Sequence, residues 1–396
     1  MAMANQSGQI TRGRRGTKHR AGVAFGAVGI AAALALTACS SSSSSSGSSS
    51  GSAANSSSSP VSLTVGIPNP GTQNDDYYLA LEGNVFSRLG LNVNTVTEGA
   101  TETTALSTGT MVVGNFGTTG MFSAVASGRH MQVVYSENTG ASTGAIFVKA
   151  SSPYKTIMSL CGQKAGSIGT NGQGYGAVAS YSHYISTHGG KPLDIVVEAN
   201  PNGLLAALES GQIAAAMNNV TGAFAAAVEQ GKLRQITSPT DPMVEQILGG
   251  KNVAAASFFG LSSALASNKT AITRFVAGLR VARMQTEKAS VAQIAAVMAK
   301  NPSFAPSVVS AQALQSGLTA QRPFDGTADG YVSPDLWSNS LKAFSNWGLN
   351  LNGTSLDLTQ PGFSYANAID MSYWNAATPL VNSYVKKYGV SLPAAG

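Results

Sequence analysis

The stretch Val61-Ser62-Leu63-Thr64-Val65-Gly66-Ile67, with the segment that follows it, decides the fold class. Its apolar and polar residues alternate, which is the period of a half-buried β-strand. After a loop rich in Pro, Gly and Asn, a helix starts at Asp75 and Asp76 and ends at Gly90. Residues 91–97 alternate again as a strand. This strand–helix–strand order predicts an α/β sheet whose strands are mostly parallel.

The same order of elements continues to residue 136 and begins again after residue 164. Within it, residues 105–111 (Ala-Leu-Ser-Thr-Gly-Thr-Met) echo residues 207–213 (Ala-Leu-Glu-Ser-Gly-Gln-Ile). Any helix–Gly–strand unit gives some likeness of this kind, but each segment here also leads through a strand into a polar turn. The echo therefore favours two similar lobes with polar loops at the carboxyl ends of their strands, where α/β sheets bind ligands.

The N-terminal segment reads as a lipoprotein signal peptide, residues 1–38. A region with five basic residues precedes an apolar run over residues 21–36, and Leu36-Thr37-Ala38-Cys39 then matches a bacterial lipobox. We expect Cys39 to be lipidated, as in palmitate-bearing lipoproteins, and residues 39–60 to form a Ser-rich, disordered tether. The alternative is an ordinary signal peptide with a chance Cys. The predicted location is the extracytoplasmic face of the cell membrane, with a lipid anchor.

Composition excludes several function classes. The signal segment holds five of the 24 basic residues and none of the 18 acidic ones, so the remainder has a net charge of about +1, which argues against a nucleic-acid partner. With Cys39 lipidated, Cys161 is the one remaining Cys, which leaves no disulfide framework and no Cys-based metal site. We expect no cofactor and no metal, and a monomer.

Two short motifs suggest other chemistry. Residues 140–144 (Gly-Ala-Ser-Thr-Gly) match a nucleophile elbow, but a strand follows them where the elbow needs a helix. Residues 172–177 (Gly-Gln-Gly-Tyr-Gly-Ala), with Asp194 beyond them, have dinucleotide-binding spacing without the remaining strands of such a unit. The glycine-rich loop more generally indicates a helix N-terminus that attracts an anionic or strongly polar group.

Residues 78–86 (Tyr-Leu-Ala-Leu-Glu-Gly-Asn-Val-Phe), followed by Leu89-Gly90-Leu91-Asn92-Val93, carry a family resemblance. They are similar to the substrate-binding proteins of nitrate, sulfonate and taurine ABC importers and of pyrimidine thiamin precursors. Residues 159–164, 207–214 and 369–373 add further matches, so the resemblance covers most of residues 61–300. The chain departs from the family at residues 218–221, where Asn-Asn-Val-Thr replaces Trp-x-x-Pro.

This resemblance implies a two-lobed periplasmic-binding-protein type 2 fold, α/β, with a mostly parallel sheet flanked by helices in each lobe and a hinge between them. Lobe 1 would comprise residues 61–148 plus 253–396, and lobe 2 residues 149–252. It implies a non-enzymatic protein that closes on a small-molecule solute and delivers it to the permease subunits of an ABC importer. One alternative is a binding protein for pyrimidine thiamin precursors, or a related synthase-like enzyme, which would need a reactive His and a Cys-rich iron site. The other is a surface lipoprotein without a transport role.

The predicted ligand contacts lie in polar loops of both lobes. They are Asp76, Tyr77, Asn115, Phe116, Thr118 and Thr119 in lobe 1, and Thr170, Asn171, Gln173, Tyr175, Asn218, Asn219 and Thr221 in lobe 2. We expect the solute to carry an anionic or hydrogen-bond-accepting group, since these loops offer neutral donors and no Arg or Lys. Asp75 and Asp76 leave a zwitterion or an amine open, although they could instead be charges that complement a helix dipole.

Overall fold

The computed structural model describes residues 59–67, 70–97, 102–139, 144–169, 173–218, 222–250, 252–325, 328–347, 350–351 and 354–392. The predicted signal peptide, Cys39 and nearly all of the tether lie outside these residues. No helix in the described ranges is both long enough and apolar enough to cross a membrane.

The first sheet combines the N-terminal strands with one strand from later in the chain. Its strands are β1 (Val61–Gly66), β2 (Leu91–Val96), β3 (Val113–Gly117), β4 (Met131–Thr139) and β10 (Ala254–Leu261). They lie in the order β2-β1-β3-β10-β4. β1 pairs in parallel with β2 and β3, while β10 runs antiparallel between β3 and β4. The connecting helices are α1 (Asp75–Glu82), α2 (Val85–Arg88), α3 (Glu102–Thr108) and α4 (Phe122–Ala126).

The second sheet repeats this plan. Its strands are β5 (Ile146–Lys149), β6 (Lys164–Ile168), β7 (Asp194–Glu198), β8 (Ala215–Met217) and β9 (Leu233–Thr237), in the order β7-β6-β8-β5-β9. β6 pairs in parallel with β7 and β8, and β5 runs antiparallel between β8 and β9. In each sheet the antiparallel strand is the first strand after the chain arrives from the other sheet. The helices that connect the strands of the second sheet are α5 (Gln173–Thr187), α6 (Pro201–Ser210), α7 (Gly222–Glu229) and α8 (Pro242–Leu248).

The sequence echo falls on equivalent turns of the two sheets. The amide of Gly109 donates to Leu106 O at 3.1 Å, and the amide of Gly211 donates to Leu208 O at the same distance. Both glycines have positive φ, 76° and 84°, which other residues adopt only with strain. The turns end α3 and α6 and lead into β3 and β8, the central strands of their sheets, so one local sequence pattern specifies one geometry twice.

The C-terminal part packs against elements of both sheets. α10 (Lys269–Lys288) lies against α1 and α15 (Ser372–Tyr388), α12 (Ala311–Gln321) lies against α7, and α13 (Pro334–Asn346) lies against β10. A buried apolar cluster runs through Phe122 and Val133 on the first-sheet side, Phe344 and Trp347, and Ala177 and Leu248 on the second-sheet side. The other helices and strands of the C-terminal part are α9 (Ser262–Ser267), α11 (Val291–Met298), β11 (Asn350–Leu351), β12 (Thr354–Ser355) and α14 (Tyr365–Ala368).

The chain changes sheets between Thr139 and Ile146 and returns between Thr237 and Ala254. Ile146 and Phe147 pair with β8 and β9 of the second sheet, although the predicted division assigned residues 146–148 to lobe 1. The crossover thus precedes β5, because this strand is held by its backbone hydrogen bonds to β8 and β9. The predicted division into two lobes otherwise stays a prediction.

Candidate ligand-binding site

Polar side chains gather where β3 and β4 of the first sheet end and α1 begins. Asn115 lies in β3, Glu137 lies near the end of β4, and Asp75 and Asp76 form the first turn of α1. All four are at most 5% exposed. The carboxyl edge of an α/β sheet is the usual place for a ligand, so this edge is the first-sheet half of the candidate site.

Arg283 on α10 forms the ion pair at the centre of this group. Its Nη2 lies 2.7 Å from Asp76 Oδ2 and donates to Glu137 O at 2.6 Å. Asp76 also accepts hydrogen bonds from Tyr135 Oη at 2.8 Å and Thr286 Oγ1 at 3.3 Å. Because the pair is fully buried, losing either partner would leave an uncompensated charge in the interior. The contact therefore fixes α1 against α10.

The Glu137 side chain collects donors from three places. Asn74 Nδ2 donates to Oε2 at 3.0 Å, Asn115 Nδ2 donates to the same oxygen at 2.5 Å, and the Tyr77 amide donates to Oε1 at 3.4 Å. The predicted contacts Asp76 and Asn115 are thus brought together around a residue that sequence reasoning missed. The predicted strand stopped at Ser136, one residue short of Glu137, and the carboxyl-edge rule would have selected Glu137 had the strand been read to its end.

A fourth carboxyl group reaches the same place from the C-terminal part of the chain. Asp325 forms an isolated antiparallel bridge with Asn138 at the end of β4, and its Oδ2 lies 3.7 Å from Arg283 Nη1. The Asp325 side chain keeps 12% of its surface exposed, more than the other three carboxyl residues. Its position after α12 gave no sequence signal, since the nearest partners lie far away along the chain.

Burial governs the electrostatics of these acids. It raises the pKa of the Asp75 carboxyl well above its usual range, and the carboxylates of Asp325 and Asp76 raise it further. Burial likewise raises the pKa of Glu137 well above its usual range, with Asp76 adding to the rise. It raises the pKa of Asp325 to about 6, against the lowering effect of Arg283. Low-dielectric surroundings favour the neutral acid, and like charges add to that effect.

The other predicted first-sheet contacts take part in packing. Tyr77 is fully buried in the apolar core, where its hydroxyl lies 2.6 Å from Thr95 Oγ1. Phe116 lies partly buried beside Phe259, and Thr118 Oγ1 lies 2.9 Å from Ser257 Oγ. Thr119 is 4% exposed. Ligand contacts by these residues stay predictions.

On the second-sheet side, α5 packs against β3 and the 3-10 turn Thr118–Met121 of the first sheet. Gln173 is the first residue of α5, Tyr175 lies partly buried in its first turn, and Asn218 directly follows β8 and is 8% exposed. The structure thus brings α5 to the first-sheet elements that carry the candidate contacts. The predicted contacts Thr170, Asn171, Asn219 and Thr221 lie outside the described residues.

The cluster of four acidic side chains does not have the geometry of a metal centre. Within the described ranges, no three His, Cys, Asp or Glu residues are arranged so that they could hold a metal ion. Its chemistry is that of hydrogen-bond acceptors and buried negative charge. It can bind donors and cations, and it disfavours anions.

The model of the protein family described as NMT1/THI5 like matches residues 72–286 of the chain. The chain belongs to this family. The matched residues run from the turn before α1 to Thr286 in the last turn of α10, so they include Asp76, Glu137 and Arg283 together with all of the second sheet. No curated protein is significantly similar to the chain in sequence.

Solved structures agree with this assignment at the level of the fold. The alkanesulfonate-binding protein SsuA of Xanthomonas axonopodis pv. citri, bound to MOPS, is 14% identical with a TM-score of 0.59, over 76% of this chain and 97% of SsuA. The periplasmic nitrate-binding protein NrtA of Synechocystis PCC 6803 is 12% identical with a TM-score of 0.58, over 85% and 92%. A Candida albicans protein with the generic periplasmic binding protein fold is 10% identical with a TM-score of 0.56, over 79% and 96%. The chain therefore has the periplasmic-binding-protein fold.

Proposed function

We propose that the protein is an extracytoplasmic solute-binding lipoprotein that delivers a small polar solute of the sulfonate, nitrate or taurine type to an ABC importer. The observation that carries this proposal is the contact of α5 with β3 and the turn Thr118–Met121. It brings a helix of the second sheet to the carboxyl edge of the first. A solute held between these edges would touch both halves of the protein.

Hinge closure is the proposed mechanism. A solute that contacts both halves stabilises the closed state by the difference between its affinities for the closed and open states. The chain crosses between the sheets after β4 and after β9, and these two crossovers would act as the hinge. The permease would then recognise the closed form, and no covalent step is needed.

The two edges divide the recognition of the solute. On the second-sheet side we place its anionic or hydrogen-bond-accepting group, held by neutral donors at Thr170, Asn171 and Asn218. The partial positive charge at the start of α5 would add to those donors. On the first-sheet side, Asp76 and Asn115 would contribute. A zwitterion such as taurine satisfies both edges.

Small-angle scattering with and without taurine, ethanesulfonate, nitrate and an aminopyrimidine tests the mechanism, since binding should reduce the radius of gyration. Replacing Thr170 and Asn171 together with Ala should weaken binding of the effective solute by about tenfold or more, because each neutral hydrogen bond contributes roughly 0.5–1.5 kcal/mol. Alanines at the exposed residues Thr187 and Asn202 are the matched control. An unchanged scattering profile at saturating solute would count against closure and favour a surface lipoprotein without a transport role.

The lipid anchor has its own test. Cys39→Ser should release the protein from the membrane fraction or leave the signal segment uncleaved, because the thiol that carries the lipid is gone. Membrane fractionation and intact mass decide this. A variant that fractionates and migrates like the unchanged protein would contradict the anchor without affecting solute binding.

A further inference from the structure

The buried carboxyl groups of the first-sheet edge outnumber the cations that neutralise them. Asp75, Asp76, Glu137 and Asp325 form one cluster, in which Arg283 makes its closest ion pair with Asp76 at 2.7 Å and a longer one with Asp325 at 3.7 Å. Among the described residues, Arg283 is the cation in ion-pair contact with this cluster. Buried charges are costly unless they are paired, so the cluster has room for a second positive charge.

A second, independent observation points to a missing donor at the same place. Asn74 is 2% exposed and its Nδ2 is held on Glu137, yet its Oδ1 has no hydrogen-bond partner. Asp325 Oδ1 has none either, and neither side-chain amide atom of the fully buried Asn138 has one. Buried polar atoms nearly always find partners. Asn74 Oδ1 and Asp325 Oδ1 are thus two unpartnered oxygens beside the acidic cluster, and a group rich in N–H donors would satisfy both. Arg283 Nε and Nη1, in the same cluster, have no hydrogen-bond partner either.

We propose that Asp75, Glu137, Asp325 and Asn74 form a subsite for a primary ammonium group of the solute. The inference rests on the proposed function, since it assigns the chemistry of the first-sheet half of that same site. An ammonium brings one positive charge and three N–H donors, which matches both the uncompensated charge and the unpartnered oxygens. It also assigns the two ends of a zwitterion: the ammonium at the first sheet, and the anionic group at the start of α5.

The acids of the cluster favour this orientation over the opposite one. A helix N-terminus favours anions through its unpaired amides and partial positive charge. The first turn of α1 instead carries two acids, Asp75 and Asp76, and the Asp76 amide already donates to Asp75 Oδ1 at 2.8 Å. An anionic group brought here would meet carboxylates, whereas an ammonium would meet acceptors.

In the solute-free protein Asp75, Glu137 and Asp325 would hold protons in place of the cation, because burial raises the pKa values of their carboxyl groups. An arriving ammonium favours the ionised carboxylates and so displaces protons. Binding at pH 6 should therefore release protons into the buffer. An ammonium that stayed in solvent would cause no such release.

Titration calorimetry with two matched pairs tests the proposal. Taurine differs from ethanesulfonate, and β-alanine from propionate, by the ammonium group alone. We expect the ammonium member of at least one pair to bind at least tenfold more tightly, with proton release visible as a dependence of the binding enthalpy on the ionisation enthalpy of the buffer. Glu137→Gln and Asp75→Asn should each weaken binding of the ammonium-bearing solute by about tenfold and leave binding of its ammonium-free counterpart unchanged. Asp335→Asn, at an exposed position, serves as the control.

Each outcome decides the question. Equal binding of both members of a pair, with no proton release, overturns the ammonium subsite and leaves the solute-binding function standing. Binding of none of the four solutes, with no compaction in small-angle scattering, contradicts the proposed solute class and the subsite together. If Glu137→Gln fails to fold, two measurements on the unchanged protein still test the subsite. These are its relative affinity for the two solutes of each pair and the proton release on binding.

Discussion

The two sheets share one strand order and differ in what they bury. On the first-sheet side the buried polar residues include the ionisable Asp75, Asp76, Glu137, Arg274, Arg280 and Arg283. On the second-sheet side, within the described residues, they are all neutral: Ser167, Ser180, Ser182, Asn218 and Thr237. Topology therefore fixes where the polar edges lie, while the side chains determine what each edge can bind. The sheet plan alone does not predict the solute.

The comparison also separates two ways of holding a sheet to its helices. On the first-sheet side, α10 and α1 are joined by the buried pair of Arg283 and Asp76. On the second-sheet side, α5 is held by apolar contacts with Trp347 and by the bond from Tyr181 Oη to Gly144 O at 2.8 Å. Removing one member of the charged pair leaves a buried charge, whereas truncating neutral or apolar groups costs less.

The largest effect is expected at the charged pair. Arg283→Met should lower the free energy of unfolding by about 3–5 kcal/mol, because Asp76 would remain buried without its counterion. Urea denaturation measures the change, and Arg129→Met, at an exposed position, should stay within about 0.5 kcal/mol. Protonation of Asp76 at low pH should recover part of the loss. A variant as stable as the unchanged protein at pH 7 would show that the two sheets are held by equivalent means.

Next in size is overpacking between α5 and the residue after α13. A Cβ added at Gly176 would lie 2.3 Å from Trp347 Cε3, so Gly176→Ala should cost about 1–3 kcal/mol and displace the Trp347 ring. Gly174→Ala on the same helix is the matched control, because a Cβ there meets nothing within 4 Å. Thermal unfolding and tryptophan fluorescence measure both variants. Identical behaviour of the two would mean that Trp347 does not hold α5.

A smaller effect is expected from pH, and it is confined to the first-sheet side. Asp325 faces Arg283, Asp76 and Arg322, and burial raises its pKa to about 6. Since the folded state binds its proton more tightly than the unfolded state, stability is greatest below about pH 4 and falls as the pH rises to about 6. Between pH 5 and pH 7 the deprotonation of Asp325 should lower the free energy of unfolding by about 1 kcal/mol.

Asp325→Asn should remove this share of the pH dependence, as measured by urea denaturation at pH 5 and pH 7. The exposed Thr110→Val, which changes no titratable group, is the control and should leave the slope unchanged. A stability that rises from pH 5 to pH 7 in the unchanged protein would reverse the sign and contradict a raised pKa at this cluster.

Local periodicity predicted the α/β order, since alternation in residues 61–67 and the repeated Gly turn at Gly109 and Gly211 report nearest neighbours in the chain. It could not predict the charged cluster. Arg283 lies on α10, far along the chain from its partner Asp76, and the packing of α10 on α1 brings the two together. Asp325 likewise reaches the cluster through tertiary packing. Asp76 and Asn115 could be proposed as ligand contacts because loops at strand ends can be read from sequence, and the structure places both beside Glu137 and Arg283.

The smallest effect is expected at a neutral hydrogen bond of the second sheet. Thr237 Oγ1 donates to Gly144 O at 2.9 Å and accepts from the Ile146 amide at 2.9 Å, which ties the end of β9 to the start of β5. Thr237→Val keeps the shape and removes the hydroxyl. The Ile146 amide then loses this acceptor, while Gly144 O keeps the bond from Tyr181, so the cost should be about 1 kcal/mol. The exposed Thr110→Val is the control in urea denaturation. A cost as large as that of Arg283→Met would show that the neutral contacts of the second sheet matter as much as the charged pair of the first, and it would remove the distinction drawn between the two sheets.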